Sequence, residues 1–388
     1  MWGAESGGRE GGPAGPSGGA GPHEEGMALQ AERVAAEALE RQIEAIFRAW
    51  GMAPRDRGLA ARLMVETDLR GVDSHGAGMM DRYDEWYRAG YIRMRPRRRL
   101  LRNGPTTALL HGGHGLGHPA AAQAMALAIG KARRHGVGFV AVRGSNHFGA
   151  AACYSMMALP HGMIGLATTN AAVPSVVATF ARDPMFSTNP LSVAVPAGRR
   201  PAFVLDMATS TVAVGKLKIA IRKGASIPAG WALDARGVPT TDPKVGHASR
   251  RLTPLGGTRE LGSHKGYGLA VLVDILSGVL AGAGYGDRFV RHARTGERPP
   301  KVMDVGHFFG AIRVDRFRPL AAFGEAMDDM LGALKASRPV EGQARVLVAG
   351  DPEWEAEAER RRLGIPLDPT VRETLRKLAA EYRAPVLL

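Results

Sequence analysis

Apolar residues recur three or four positions apart in several segments of the chain, and this spacing predicts amphipathic helices. The segments cover residues 28–50, 74–90, 120–134, 323–334, 353–363 and 370–382. Asp73 or Ser74 can cap the second of these helices, and Thr370 with Glu373 has the spacing of a capping box at the last one. Both ends of the folded chain are therefore predicted to be helical.

Short apolar runs bounded by Gly, Pro or Asn predict strands in the middle of the chain. The runs cover residues 137–142, 163–168, 191–195 and 203–205. Because a helical segment lies among these runs, the pattern predicts an α/β fold with a largely parallel or mixed sheet. The apolar run 269–283 is too short to span a bilayer and predicts a buried helix, and the Gly/Pro-rich stretch 282–301 predicts a long surface loop.

The composition divides the chain into four parts. Residues 1–27 are nearly all Gly, Pro, Ala, Ser and charged residues, which cannot bury enough apolar surface to offset chain entropy, so they are predicted to be a disordered tail. Residues 28–95 are predicted to form an N-terminal helical subdomain, and residues 96–315 an α/β core. Residues 316–388 are predicted to be a C-terminal helical region that packs with the N-terminal helices.

The charge balance is basic, with 51 Lys and Arg against 37 Asp and Glu and a formal net charge of +14. The basic runs 95–99 and 360–362 carry no interleaved aromatic residues, so the excess supports an attraction for anionic ligands and we expect no nucleic-acid partner. Cys153 has no second cysteine to pair with, and no charged segment followed by an apolar stretch opens the chain. A cytoplasmic protein without a membrane partner is expected.

Two motif classes are disfavoured. The dinucleotide fingerprint G-x-G-x-x-G is not found, because the glycines of 112–117 have the wrong spacing and those of 282–286 follow a helix instead of a strand. A Rossmann domain is therefore not expected. His111, His114 and His118 have a spacing that could bind a metal, but no carboxylate or cysteine stands nearby, so no metal is predicted.

Polar residues follow the predicted strands closely. Residues 145–147 (SNH) follow the first strand, residues 168–170 (TTN) the second, and Asp206 ends the last. The carboxyl ends of strands are where α/β sheets gather ligands. Residues 187–190 (STNP) add a polar turn, and Lys265 at a predicted helix start could meet a phosphate. We expect the functional site at these strand ends.

Two histidines are candidates for proton transfer. His75 lies in the DSHG turn of 73–76 at a predicted helix start, where the helix dipole favours an anion and lowers the pKa of an imidazole. If a hydride adds to a carbonyl carbon, the oxygen becomes an alkoxide that needs a proton, and an imidazole is the natural donor. His147 has a similar claim, and the residues alone leave the choice open.

Taken together, the motifs resemble the type-2 malate/L-lactate dehydrogenase family over residues 31–380. The matching blocks are DSHG at 73–76, SNHFGA at 145–150, TNPLSVAVP at 188–196, DMATS at 206–210, GVPTTDP at 237–243 and HKGYGL at 264–269. The stretch DSHGAGMM and the stretch GDPEWEAEAERRRLGIPLD are similar to the hydroxycarboxylate dehydrogenase B subgroup.

The resemblance implies a non-Rossmann mixed-sheet core that binds NAD or NADP, flanked by helices from both termini, in a homodimer that interconverts a 2-oxo acid and a 2-hydroxy acid. It implies His75 as proton donor with Ser74 and Asp206 as relay partners, while His147 matches a residue described as proton acceptor in some members. The cofactor contacts that it implies are His147, Asn170, Thr188, Asn189, Asp206, Met207, Ala208 and Lys265.

One departure from the family pattern concerns the substrate. Many members place an arginine, thought to hold the substrate carboxylate, where this chain has Met79. Arg82, one helical turn further on, could supply the charge. The alternatives are a reductase of a cyclic imine acid such as piperideine-2-carboxylate, and a non-catalytic anion-binding protein. The choice between NAD and NADP stays open.

Overall fold

The computed structural model describes residues 32–296 and 302–388, so the predicted tail 1–27 lies outside the described residues. The helices are α1 Ala36–Ala49, α2 Pro54–Leu69, α3 Met80–Arg88, α4 Gly117–His135, α5 Ala152–Ser155, α6 Val214–Lys223, α7 Pro243–Ser249, α8 Ser263–Asp274, α9 Gly286–Thr295, α10 Leu320–Ala336, α11 Asp351–Leu363 and α12 Pro369–Glu381. The strands are β1 Arg33–Val34, β2 Arg99–Asn103, β3 Thr107–His111, β4 Val137–Ser145, β5 Met163–Thr169, β6 Val176–Val177, β7 Pro184–Phe186, β8 Leu191–Val195, β9 Phe203–Met207, β10 Ala232–Leu233, β11 Pro239–Thr240, β12 Arg251–Leu252, β13 Val305–Arg313 and β14 Ile365–Pro366.

The larger sheet has seven strands in the described part of the chain, in the order β2-β3-β4-β13-β5-β8-β9. The four predicted strands are confirmed as β4, β5, β8 and β9, and the sheet is mixed as expected. Of the two predicted alternatives, a largely parallel or a mixed sheet, the mixed sheet is the one found, and among the described strands of this sheet β3 and β4 alone pair in parallel. The reason is β13, a strand that was not predicted, which runs antiparallel between β4 and β5.

Because β13 lies antiparallel between β4 and β5, these two strands run in the same direction. β9 also runs in this direction, because β8 pairs antiparallel with both β5 and β9. The carboxyl ends of β4, β5 and β9 therefore share one edge of the sheet with the starts of β8 and β13. At this edge the fully buried His307 bonds through Nε2 to Ser145 Oγ at 2.8 Å and through Nδ1 to Thr169 Oγ1 at 2.7 Å. These bonds fix the strand ends around which the site is built.

A second sheet lies within the predicted 96–315 core. Its five strands in the described chain have the order β11-β10-β12-β6-β7, and α6 and α7 pack beside it. Its small apolar core includes Val176, Leu217, Ile227 and Leu252. The region predicted as one core thus contains two sheets, each with its own buried cluster.

The first and last elements of the described chain lie together. β1 pairs antiparallel with β14, and α12 packs on α1 through a cluster that includes Ile43, Phe47, Leu375 and Leu378. The helix α10 does not join this cluster and lies beside the loop between β8 and β9. Its Asp328 carboxylate accepts hydrogen bonds from the backbone N–H groups of residues 198–200 in that loop. The 316–388 segment is therefore shared between the helical cluster and the sheet.

Several local predictions need correction. The first helix begins at Ala36, after the short strand β1, and α2 was not predicted at all because its apolar positions show little amphipathic periodicity. The segment 282–301 holds the helix α9 in its described part instead of being a loop throughout. The apolar helix α8 continues into a π-helix, Ile275–Val279, and the expectation that it is buried is wrong for one face.

The N-terminus of α12 is capped differently from the prediction. Asp368, not Thr370, is the N-cap, and its carboxylate accepts hydrogen bonds from the Thr370 N–H at 2.8 Å and the Thr370 hydroxyl at 2.6 Å. The Asp368 carboxylate caps the free N–H groups at the start of α12, and the Thr370 hydroxyl donates to this carboxylate. The predicted capping box of Thr370 with Glu373 therefore does not form. A carboxylate at this position also interacts favourably with the helix dipole.

Replacement of this cap gives a first prediction. Asp368→Ala should lower the free energy of unfolding by about 1 kcal/mol, because two hydrogen bonds at the start of α12 are lost. Glu373→Ala, the matched control one turn further on, should leave it unchanged. Chemical denaturation monitored by circular dichroism measures both. Equal destabilisation by the two variants would restore the capping box.

Candidate active site

The DSHG turn of 73–76 lies between α2 and α3 and precedes a single 3₁₀ turn, Ala77–Met79. In the described chain neither Asp73 nor Ser74 caps a helix, contrary to the prediction. Asp73 instead pairs with Arg360, and the Ser74 hydroxyl bonds to His75. The turn is a loop that carries His75, and its shape depends on other elements.

Two elements hold this turn. From α2, the buried Asp68 accepts a hydrogen bond from the Ala77 N–H at 2.8 Å. From α11, the Arg360 guanidinium binds the Asp73 carboxylate and donates to the Asp68 carbonyl oxygen at 2.6 Å. Asp68 lies nine positions before Ala77 and Arg360 lies 287 positions after Asp73, so the position of His75 depends on the packing of both α2 and α11.

The carboxyl group of Asp68 also fixes the residue type at position 76. Burial raises the pKa of Asp68 to about 8, more than the hydrogen bond from Ala77 lowers it. A Cβ atom on Gly76 would lie 2.0 Å from Asp68 Oδ1. Since real Cβ contacts are never so short, the turn can pack over this carboxyl group only with glycine here.

His75 is half-buried, with protein around most of its ring. Its Nδ1 lies 2.8 Å from Ser74 Oγ, and within the described residues no protein group bonds Nε2. Burial, and not a helix end as predicted, lowers the pKa of His75, because a site with little water disfavours the imidazolium. The free Nε2 is the atom available to a ligand.

His147 follows β4 and lies beside His75, with the two ring centres 5.4 Å apart. Its Nδ1 lies 2.8 Å from the hydroxyl oxygen of Tyr83, a residue of α3, and the Trp86 ring packs at 6.3 Å. The pKa of His147 is well below its usual value, first because of burial and then because of the neighbouring histidines. The fold thus brings together the two histidines that the sequence left in competition.

Asp206 lies at the end of β9 and is not the N-cap of a helix. Its carboxylate accepts a hydrogen bond from the Ala152 N–H at 2.8 Å, five residues after His147. Although the residue stays accessible, the protein packed around the carboxyl group raises its pKa to about 6. Among the described residues no hydrogen bond joins it to His75, so the predicted relay remains a proposal.

The residues expected at the cofactor lie where the ends of β8 and β9 meet α8. The buried Asn189 has a φ of +37° and donates to the Ala270 carbonyl of α8 at 3.0 Å. The Thr188 carbonyl accepts from the Thr209 N–H at 2.8 Å, just beyond the half-buried Met207 and Ala208. Lys265 is exposed in the first turn of α8. The bond to Ala270 holds the second half of α8 against the start of β8.

Asn170, predicted to contact the cofactor, has its side chain bonded within the protein. Its side-chain amide donates to Asp274 Oδ1 at 2.9 Å and to the Gly284 carbonyl at 2.8 Å, and its Oδ1 accepts from the Gly306 N–H at 3.0 Å. Both amide donors are used, and the side chain is buried. Asn170 therefore ties β5 to α8 and β13, and its side-chain donors are not available to a cofactor.

The predicted substrate residues are not equivalent. Met79 is half-buried and packs against the N-terminal apolar cluster. Arg82 is half-exposed, and its guanidinium pairs with Glu85 at 2.7 Å on the outer face of α3. In the described chain Arg82 therefore makes a surface ion pair, and its contact with the substrate stays a prediction.

The three histidines weighed as metal ligands do not form a site. His111 and His114 contact each other with ring centres 5.2 Å apart, whereas His118 is buried on α4 against Tyr83. In the part of the chain that the structure describes, no group of three or more His, Cys, Asp or Glu side chains could hold a metal ion. None of its described helices is long and apolar enough to cross a membrane.

Sequence reasoning missed three residues of this site. Asp68 and Arg360 were unremarkable charged residues, and Tyr83 counted only as an apolar position of a helix. Tyr83 and His147 are 64 positions apart, and Arg360 and Asp73 are 287 apart. No local pattern could have signalled these contacts.

Comparison with known proteins identifies the class of enzyme. The malate/L-lactate dehydrogenase family matches residues 34–376, which is most of the chain. A malate dehydrogenase of Pyrococcus abyssi is 40% identical over 85% of this chain and 89% of its own. An L-sulfolactate dehydrogenase of Methanothermobacter thermautotrophicus is 37% identical over 90% of this chain and 97% of its own.

Two further comparisons agree. Hydroxycarboxylate dehydrogenase B of Escherichia coli is 32% identical over 87% of this chain and 90% of its own, so overall identity is higher toward the malate and sulfolactate dehydrogenases. The crystal structure of malate dehydrogenase from Entamoeba histolytica superposes with a TM-score of 0.86 at 32% identity, covering 92% of this chain and 99% of that one. The chain belongs to the malate/L-lactate dehydrogenase family of 2-hydroxy acid dehydrogenases.

The close packing at Gly76 gives a second prediction. Gly76→Ala should lower the free energy of unfolding by about 1–3 kcal/mol and reduce turnover, because the added Cβ displaces the turn that carries His75. Gly58→Ala is the control, since nothing lies within 4 Å of a Cβ at that helical position. Thermal unfolding and steady-state kinetics measure the two effects. Normal stability and turnover of Gly76→Ala would show that the turn tolerates the displacement.

Proposed function

We propose that this enzyme interconverts a 2-oxo acid and a 2-hydroxy acid with NAD or NADP, and that His75 gives and takes the proton. The observation that supports this most is the histidine pair at the sheet edge. The two rings lie 5.4 Å apart, and in the described chain each has an Nε2 without a protein partner. A substrate oxygen that changes between carbonyl and hydroxyl needs such a donor and acceptor.

His75 has the surroundings of an acid–base group. Ser74 holds its Nδ1 at 2.8 Å, which orients the ring and leaves Nε2 for the substrate oxygen. Because burial lowers its pKa, the imidazolium of His75 is a stronger acid than a free one. Reduction requires the protonated form and oxidation the neutral form. Asp206, whose pKa is raised to about 6 by burial, is the proposed relay partner.

The residues near the sheet edge fit a nicotinamide dinucleotide. The exposed Lys265 side chain in the first turn of α8 suits a pyrophosphate, while His147, Thr188, Asn189 and the 206–208 segment border the strand ends. When bound, the nicotinamide ring supplies or accepts the hydride. Lys265 would neutralise phosphate charge and hold the dinucleotide along the edge of the sheet.

A small anionic substrate fits the same surroundings. The related enzymes are named for malate and sulfolactate, which are 2-hydroxy acids with a second anionic group. The net charge of +14 attracts such anions. Met79 offers no charge for a second carboxylate, so we propose that this chain also accepts 2-oxo acids with a larger, less polar side group.

We further propose a cytoplasmic homodimer. Four apolar side chains form a stripe along α8 and its π-helical extension, and each is 46–59% exposed: Leu272, Ile275, Val279 and Leu280. A two-fold interface is self-complementary, so one such stripe can cover its copy in a second subunit. The lone Cys153, a buried free thiol, suits a reducing compartment.

The proposed activity is tested by following NADH and NADPH absorbance with the purified enzyme. The substrates are oxaloacetate, sulfopyruvate, pyruvate, hydroxyphenylpyruvate and piperideine-2-carboxylate. Turnover with a 2-oxo acid is expected. Turnover of the cyclic imine alone would assign the alternative reductase, and absence of both turnover and cofactor binding would leave an anion-binding protein.

His75→Ala should lower kcat by at least about 100-fold and leave NAD(P)H affinity largely unchanged, because the proton donor acts on the substrate. In the wild type, the rate of reduction should fall as pH rises through the pKa of His75, below 6.5, and oxidation should rise over the same range. His161→Ala, on an exposed histidine, is the control. Near-normal turnover of His75→Ala would move the role to His147.

A charge in the apolar stripe should separate the subunits. Ile275→Asp is expected to convert the dimer to a monomer by light scattering, because a carboxylate cannot be buried unpaired at the centre of the interface. Leu334→Asp, at a similarly exposed leucine of α10, is the control and should stay dimeric. A wild-type monomer, or a dimeric Ile275→Asp variant, would refute the assignment of this face.

A further inference from the structure

Tyr83 is a fully buried residue of α3 whose hydroxyl oxygen lies 2.8 Å from His147 Nδ1. Burial raises the pKa of Tyr83 far above its usual value, so the hydroxyl keeps its proton and can donate. The Gly149 N–H also points to His147 Nδ1, at 3.4 Å. Since an N–H group can only donate, Nδ1 is the acceptor in this arrangement.

His118, a second histidine beside Tyr83, does not take the Tyr83 proton. The His118 ring stands edge-on to the Tyr83 ring, with centres 5.9 Å apart. Both His118 nitrogens are buried and have no hydrogen-bond partner among the described residues. The Tyr83 hydroxyl therefore has His147 as its acceptor, and the bond has a defined direction.

A neutral imidazole carries its proton on one nitrogen, so an Nδ1 that accepts two hydrogen bonds leaves the proton on Nε2. We propose that Tyr83 holds His147 as the neutral Nε2–H tautomer, and that His147 donates a hydrogen bond to the reacting oxygen of the substrate while His75 carries the proton. This inference rests on the proposed function. It divides two roles between histidines that the sequence could not separate.

The surroundings of His147 favour the neutral ring. His75, His118 and His307 lie around it and Tyr83 covers Nδ1, so a charge on His147 would be poorly solvated and close to any charge on His75. The pair can therefore hold one proton more easily than two. That proton belongs on His75, whose Nδ1 is held by a serine hydroxyl and not by two donors.

The distance between the rings allows both to act on one atom. With ring centres 5.4 Å apart, two Nε2 groups can each reach an oxygen placed between them at an ordinary hydrogen-bond length. A fixed neutral donor stabilises the negative charge that develops on this oxygen without giving up its proton. His147 is then a catalytic residue by hydrogen bonding, and Tyr83, which acts through His147, is a positioning residue.

Substitutions that mimic one nitrogen at a time test the assignment. A glutamine amide can occupy the place of Nε2–H, whereas an asparagine amide reaches only the place of Nδ1. His147→Gln should keep kcat within about tenfold of the wild type, and His147→Asn and His147→Ala should lose about 100-fold or more. His75→Gln should be as inactive as His75→Ala. Equal loss in His147→Gln and His147→Asn would overturn the proposal.

The tautomer itself is measured without turnover. In protein labelled with nitrogen-15 histidine at pH 7.5, the His147 signals, assigned by their loss in His147→Gln, should show a protonated Nε2 and an unprotonated Nδ1. Tyr83→Phe should give a mixture of tautomers and lower kcat about tenfold with cofactor affinity unchanged. Tyr87→Phe, one turn along α3, is the control and should change neither.

These results separate the inference from the proposed function. A wild type that turns over no substrate but shows the Nε2–H tautomer would reject the dehydrogenase activity and keep the role of Tyr83. An active wild type with the proton on Nδ1 would reject the inference alone. A Tyr83→Phe variant with unchanged spectrum and unchanged kcat would likewise reject it.

Discussion

The antiparallel entry of β13 between β4 and β5 is the constraint on which the site depends. It places the ends of the two strands at one edge of the sheet, on either side of β13, and the buried His307 of β13 holds them by bonding to Ser145 and Thr169. The residue that follows this end of β4 by two positions is His147. Because His307 belongs to β13, this link between the ends of β4 and β5 depends on the inserted strand.

The second half of the site comes from the helices of both termini. Asp68 and Arg360 hold the turn that carries His75, and the buried Asp68 carboxyl group has a raised pKa because of its burial. Burial of this carboxyl group costs folding free energy, which its hydrogen bond from the Ala77 N–H offsets only in part. The arrangement fixes the turn where the helical cluster meets the sheet edge, so the two histidines lie on separate but mutually supported elements.

Two imidazoles of similar chemistry receive different neighbours. Ser74 bonds to His75, while Tyr83 and Gly149 converge on one nitrogen of His147. The identity of the hydrogen-bond partner sets the tautomer, and the mutual proximity of the rings disfavours a charge on both. The difference in role that we infer therefore arises from the residues that hydrogen-bond to each imidazole and not from the histidines themselves.

Local patterns of residues predict the strands β4, β5, β8 and β9, the helices at both ends of the described chain and the motifs that mark His75 and His147, because periodicity and short motifs are local properties. Packing of the elements sets the strand directions in the sheet, the pairing of Arg82 with Glu85, the hydrogen bonds of Asn170 and the contact from Tyr83 to His147. Most of these depend on residues more than 60 positions apart, and Arg82 depends on which face of α3 is turned outward. A local sequence pattern does not show which residues far apart in the chain will be in contact, because those contacts form only when the helices and strands pack together.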